Sequence, residues 1–215
     1  MFIRAFIIFS CFIVLCGCAP EEEPSARIVY SPHTEPKLVK PTIKRPKPVP
    51  GNIDRNIPRD WLPPSRLEKK WAAIIIHHSA TRTGNAAIFD KKHREENHWE
   101  GVGYDFVIGN GTDSRDGQVE VTFRWRQQLT GAHCKTPNNW ANENAIGICL
   151  VGNFEYEVPS ARQMQSLVKL VRFLQNRYRI PKSRIYGHKT TPGARVTDCP
   201  GGRFPMAWLK SMLYF

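Results

Sequence analysis

Two short runs without polar interruption limit the fold of this chain more than any other feature. Ala72-Ala73-Ile74-Ile75-Ile76-His77 meets its first polar side chain only at the end, and Ala145-Ile146-Gly147-Ile148-Cys149-Leu150-Val151 meets none. A strand with one wet face alternates apolar and polar residues, so runs like these read as strands covered on both faces. Covering both faces takes helices, and the rest of the chain offers them. Residues 85–97 read as a polar amphipathic helix with Ala86, Ile88 and Phe89 near its start. Residues 160–179 carry the clearest helical period, with Ser160 placed to cap it and Met164, Leu167, Val168, Val171, Leu174 and Tyr178 recurring at three and four. Residues 204–213 read as a closing helix. Further strands are expected over 103–108, 118–123 and 184–186, with a turn-rich segment over 109–117. Strands alternating with helices predict an α/β class, a single domain with a central β-sheet flanked by helices.

The first 64 residues belong to something else. Arg4 followed by an apolar stretch over 5–15 has the length of a secretory h-region and is too short to span a bilayer comfortably. It ends at Leu15-Cys16-Gly17-Cys18, which resembles the lipobox of bacterial lipoproteins, with Cys18 as the lipidated residue. Residues 1–17 are therefore expected to be a signal peptide. Residues 18–64 hold 11 of the 17 prolines. Proline at that density removes backbone donors, so a disordered, extended tether is expected, reaching on the order of 150 Å at ~3.1 Å per residue. Trp61 and Leu62 are odd in a free linker, and their segment is expected to lie along the domain. The domain proper is assigned to 65–215. The resulting address is the cell envelope, on the periplasmic side of a membrane held by the lipid. Ala19 after Cys18 points to the outer membrane.

Export changes how the cysteines and the charge are read. Cys11 and Cys16 leave with the signal and Cys18 is lipidated, which leaves Cys134, Cys149 and Cys199, an odd number in an oxidising compartment. At least one needs an occupation other than an internal disulfide, and a metal site is one. A Cys134–Cys149 bridge stays open at this level. The formal net charge of +12 suggests a polyanionic partner. Outside the cytoplasm that partner is wall polymer or anionic lipid, and no nucleic acid is expected.

Chemistry concentrates at His77, His188 and Cys199. Both histidines end or follow predicted strands, where a side chain reaches the rim of a sheet, and Cys199 lies in the loop before the closing helix. Two imidazoles and a thiolate suit Zn²⁺ and leave a fourth position for water. The pair His93 and His98 is no metalloprotease motif, because five residues on a helix separate two side chains by about 140°.

The words around these residues occur in a set order. Ile74-Ile75-Ile76-His77-His78-Ser79-Ala80-Thr81 comes first, then Gly103-Tyr104-Asp105-Phe106, Gly131-Ala132-His133, Asn144-Ala145-Ile146-Gly147-Ile148 and Gly152-Asn153-Phe154. Gly187-His188 and Thr197-Asp198-Cys199-Pro200-Gly201 close the series. Over residues 70–213 the chain resembles the type-2 N-acetylmuramoyl-L-alanine amidases, the family that includes the peptidoglycan recognition proteins. The resemblance implies a mixed central sheet and a Zn²⁺ cofactor held by His77, His188 and Cys199. It implies catalytic roles for Tyr104 and Thr197 and a place beside the substrate groove for His133. The implied substrate is peptidoglycan or muropeptides, cut by a monomer between N-acetylmuramic acid and L-alanine; a binding module that does not cut is the rival reading. Arg126, with Arg124, is a candidate to grip a substrate carboxylate. One departure is plain: some members carry an acid/base Glu on the strand where this chain has Cys149.

Overall fold

A computed structural model describes residues 57–215. The expected signal peptide, the expected lipidation site at Cys18 and the expected tether up to residue 56 lie outside the described residues.

The two apolar runs become adjacent strands at the centre of one sheet. β1 (Ala73–His78) and β4 (Ala145–Leu150) pair in parallel, Ala73 opposite Ala145 and His77 opposite Cys149, and both are buried throughout. β2 (Phe106–Ile108) joins β4 in parallel, β5 (Ile185–Gly187) joins β1 in parallel, and β3 (Val119–Val121) runs antiparallel along β2. The order β3-β2-β4-β1-β5 is a mixed five-stranded sheet, so the expected α/β class and the mixed sheet both hold.

Alternation along the strands sorts side chains onto two faces. Ile74, Ile76, Ile146, Ile148, Leu150, Phe106 and Ile108 pack under α4 (Ala161–Tyr178), which presents Met164, Leu167, Leu170, Val171 and Leu174. The Ser160 hydroxyl accepts the Gln163 N–H and the Gln163 side chain accepts the Ser160 N–H, closing the helix start at both orphan donors. Ala73, Ile75 and Ala145 face the other way, toward Cys134 and α3 (Trp140–Asn144). Val107, Cys149 and Val151 meet Phe89 of α1 (Ala86–Glu95), whose start is capped by Asn85. α5 (Met206–Ser211) adds Leu209 to the α4 side. Among the described residues no helix is long and apolar enough to cross a membrane.

The segment before the first strand is part of the packed unit. Trp61 is buried, its ring lies 6.0 Å from Phe173, and its carbonyl accepts the Trp125 indole N–H at 3.0 Å.

The structure departs from the sequence reading at residues 118–123. The strand stops at Val121, and Phe123 opens a short helix, α2 (Phe123–Gln127). Thr122 makes the break, because its N–H donates to the Asp105 carbonyl and its hydroxyl to the Tyr104 carbonyl. Both partners lie far away in sequence, so the aromatic and β-branched character of Val121, Thr122 and Phe123 points the other way until the sheet has formed.

Candidate metal centre

Side-chain alternation decides which member of the His77-His78 pair faces the site. His78 lies on the α4 side, where its Nδ1 accepts the Phe154 N–H at 3.1 Å. His77 is buried on the opposite face at the C-terminal end of β1, the end at which parallel sheets hold ligands. His188 begins the short 3-10 turn His188–Thr190 directly after β5, and β5 pairs with β1, so the two imidazoles meet with ring centroids 4.7 Å apart. The loop carrying Cys199 is tied to that turn by a hydrogen bond from Lys189 N–H to the Cys199 carbonyl at 2.7 Å.

The result is a compact donor set. One ligand atom each from His77, His188 and Cys199 lies within 4.8 Å of the others. His77 Nδ1 and Cys199 Sγ are 3.5 Å apart. Tetrahedral zinc with ordinary Zn–N and Zn–S bonds spaces such atoms by roughly 3.6 Å. His188 Nε2 is buried with no hydrogen-bond partner among the described residues, as a nitrogen reserved for a cation would be. Burial, reinforced by His133 and His188, lowers the His77 pKa far below its ordinary value, and burial lowers that of His188. Both imidazoles are therefore neutral, the form that binds metal. Burial also pushes the Cys199 thiol up to about 12, although the His78 N–H donates to its sulfur at 3.4 Å. A thiolate there needs a cation beside it, so metal uptake displaces the thiol proton. The three residues fit zinc in number, type and spacing.

The remaining candidates fall at different depths. The Tyr104 ring stands 5.2 Å from that of His77, and burial raises its hydroxyl pKa well above the usual phenol value. Tyr104 is thus a donor that does not ionise. Thr197 Oγ1 accepts the Cys199 N–H at 3.3 Å and shapes the ligand loop. His133, expected beside the groove, is 7% exposed and sits behind His77 with both ring nitrogens committed, Nδ1 to His77 Nε2 at 3.0 Å and Nε2 to the Ala145 carbonyl at 3.2 Å. Arg126 is exposed on α2. Arg124 is buried, and its guanidinium donates to the carbonyls of Val102 and Thr130 through Nε and Nη1, so it secures those two loops. Cys134, Cys149 and Cys199 are all free thiols.

Asp105 was not singled out from sequence, where it is one acidic residue in a strand-like word. In the fold it is fully buried, Oδ2 accepting the Gly147 N–H at 2.8 Å and Oδ1 unpartnered among the described residues. Burial pushes its carboxyl up to about 7, against the opposing pull of the Gly147 N–H, Lys69 and Arg124. The folded chain then keeps a proton that the unfolded chain releases near pH 4. Its contribution to stability is fullest below that pH and is lost as pH rises toward 7, a swing of at most about 4 kcal/mol. Asp105→Asn is expected to remove this slope. Urea unfolding of both proteins at about pH 5 and about pH 8 checks it, and equal pH dependence in the two would count against the assignment.

Comparison with known proteins agrees with this geometry. A family model described as N-acetylmuramoyl-L-alanine amidase matches residues 67–202, which include all three ligand candidates. The chain belongs to that family. Among solved structures it is similar to the N-acetylmuramoyl-L-alanine amidase LysC from Clostridium intestinale URNW, with 30% identity and a TM-score of 0.56 over 66% of this chain and 84% of that one. It shares its fold with a tyrosine-to-phenylalanine mutant of Drosophila PGRP-LB in complex with tracheal cytotoxin, at 24% identity and a TM-score of 0.50 over 68% of this chain and 88% of that one. In sequence it is 29% identical over 140 residues to peptidoglycan-recognition protein LB of Drosophila melanogaster, covering 60% of this chain and 54% of that protein. It is 27% identical over 137 residues to peptidoglycan-recognition protein 2 of Holotrichia diomphalia, covering 60% and 66%. The match thus spans between about half and two thirds of these relatives.

Proposed function

We propose that the domain is a zinc-dependent amidase that cuts the bond between N-acetylmuramic acid and the L-alanine of the stem peptide, acting on peptidoglycan or its muropeptides. The observation that carries this reading is the convergence of His77, His188 and Cys199 within 4.8 Å in a chain of the amidase family. Those three side chains would hold the ion through two neutral nitrogens and one sulfur. Bound there, zinc supplies Lewis acidity toward the scissile carbonyl and lowers the pKa of water at neutral pH.

The protein's own groups supply the rest. Tyr104 keeps its phenolic proton and stands beside His77 with its hydroxyl in hydrogen-bond reach of the Cys149 thiol; turned from that sulfur it would donate to an oxygen on which negative charge develops. Thr197 uses a lone pair on the Cys199 N–H, which leaves its hydroxyl proton to donate toward substrate. Cys149 occupies the strand position level with His77, and burial raises its thiol pKa well above the ordinary value. It remains a neutral thiol and offers no base. Proton transfer to the leaving amine therefore falls to a group other than a strand carboxylate.

Muropeptides incubated with the full chain, with and without a chelator, and weighed by mass spectrometry test the proposal. Free stem peptide is expected without chelator, none with it, and a return of product on adding zinc. Retention of muropeptide on the protein with no change in mass would instead identify a binding module.

A further inference from the structure

We propose that His133 is a positioning residue for the metal centre, holding His77 in the tautomer and ring orientation that turn Nδ1 toward Cys199 and His188. The inference rests on the zinc-centre reading above and deepens it. For His77 Nδ1 to offer a lone pair, the proton of the neutral ring must sit on Nε2. That proton points at His133 Nδ1, 3.0 Å away. His133 Nδ1 must then accept, which puts the His133 proton on its own Nε2, 3.2 Å from the Ala145 carbonyl. The carbonyl can only accept, so the direction of each bond follows from the one before it. A carbonyl of β4 thereby dictates which face of the β1 imidazole is a ligand, a relay of the kind that orients metal-binding histidines.

The fold builds a close-fitting slot for this ring. A Cβ on Gly147 would lie 2.5 Å from His133 Cδ2 and 2.7 Å from its Cγ, and a Cβ on Gly131 would lie 2.6 Å from Cδ2. The imidazole is thus pressed between two stretches of bare backbone. Its own main chain is held as firmly, because Asn142 Oδ1 accepts the N–H of both His133 and Cys134, at 2.9 and 2.8 Å. Asn142 is in turn fixed by donating to Asn139 Oδ1 at 2.8 Å. A glycine inside a strand otherwise made of Ala, Ile, Cys and Leu weakens it unless something must approach closely.

Two measurements on the full-length protein decide the matter. In the zinc-loaded, ¹⁵N-labelled wild type, long-range ¹H–¹⁵N spectra are expected to show His77 and His133 both protonated at Nε2. A proton on Nδ1 of either ring overturns the proposal, and this needs no variant to fold. Competition for zinc against a chromophoric chelator is the second. His133→Leu is expected to bind zinc ~10–100-fold more weakly, and His133→Asn to recover part of the loss by presenting an acceptor at the Nδ1 position. Wild-type zinc affinity in His133→Leu, with a raised KM for muropeptide, would make His133 a substrate contact and end the positioning role. A wild-type chain that takes up no zinc would remove the metal reading itself, a separate failure.

Discussion

Cys199→Ala is expected to lose its zinc and, with it, stem-peptide release by on the order of 10³-fold or more, while remaining folded. Three protein ligands are the minimum for a catalytic zinc site, and the variant keeps two. The Lewis-acid contribution is worth several kcal/mol, and each 1.36 kcal/mol is a factor of ten in rate. Folding should tolerate the change. Cys199 is only half-buried in a loop, and its sulfur takes part in one protein hydrogen bond of clear direction, from the His78 N–H. A bond of that kind contributes about 1 kcal/mol. Bound zinc by atomic absorption, the thermal midpoint and peptide release by mass spectrometry separate the outcomes. Turnover at the wild-type rate in a folded Cys199→Ala protein would end the proposal that the sulfur is a ligand of the reacting centre.

Trp125→Ala is the substitution expected to hurt stability most, by ~3–5 kcal/mol. Trp125 is fully buried in the middle of α2, with ring centroids 4.7 Å from Phe106, 6.2 Å from Trp71 and 6.2 Å from Tyr178. Its loss opens a cavity among all three and strips the Trp61 carbonyl of its donor. At roughly 2–4 °C per kcal/mol for a domain of this size, the midpoint should fall by on the order of 10 °C. Because Trp61 loses its tie, the segment before Trp71 should also become cleavable by protease before the core unfolds. Urea unfolding measures the first effect and limited proteolysis the second. A loss below about 1 kcal/mol would mean that the site refills and that Trp125 does not anchor the N-terminal segment.

Much of the fold was legible because burial leaves a mark on composition. Strands covered on both faces have no polar positions to vary, so β1 and β4 stand out in a single pass. α4 is as plain, since one face must match the sheet at every third or fourth residue and Ser160 ends it with a capping side chain. The short elements carry no such mark. α2 and α3 span five residues each, fewer than two turns, and neither can form without the sheet beneath it. Arg124 shows the same limit for function. Its charge suggested a grip on substrate, and only the positions of the Val102 and Thr130 carbonyls make it a structural donor.

The amino-acid order alone determined the two central strands, the main helix and the chemical types of the three ligand candidates, because hydrophobic period and residue identity are local properties. Tertiary structure decided everything that depends on direction. His77 and Cys199 are 122 residues apart, and only the parallel pairing of β1 with β5 and the clasp between Lys189 and Cys199 bring them to 3.5 Å. Which nitrogen of His77 faces the sulfur, and what His133 does behind it, is set by a carbonyl of the neighbouring strand. Hydrogen bonds are directional and join residues remote along the chain, so their consequences become readable only when the strands lie side by side.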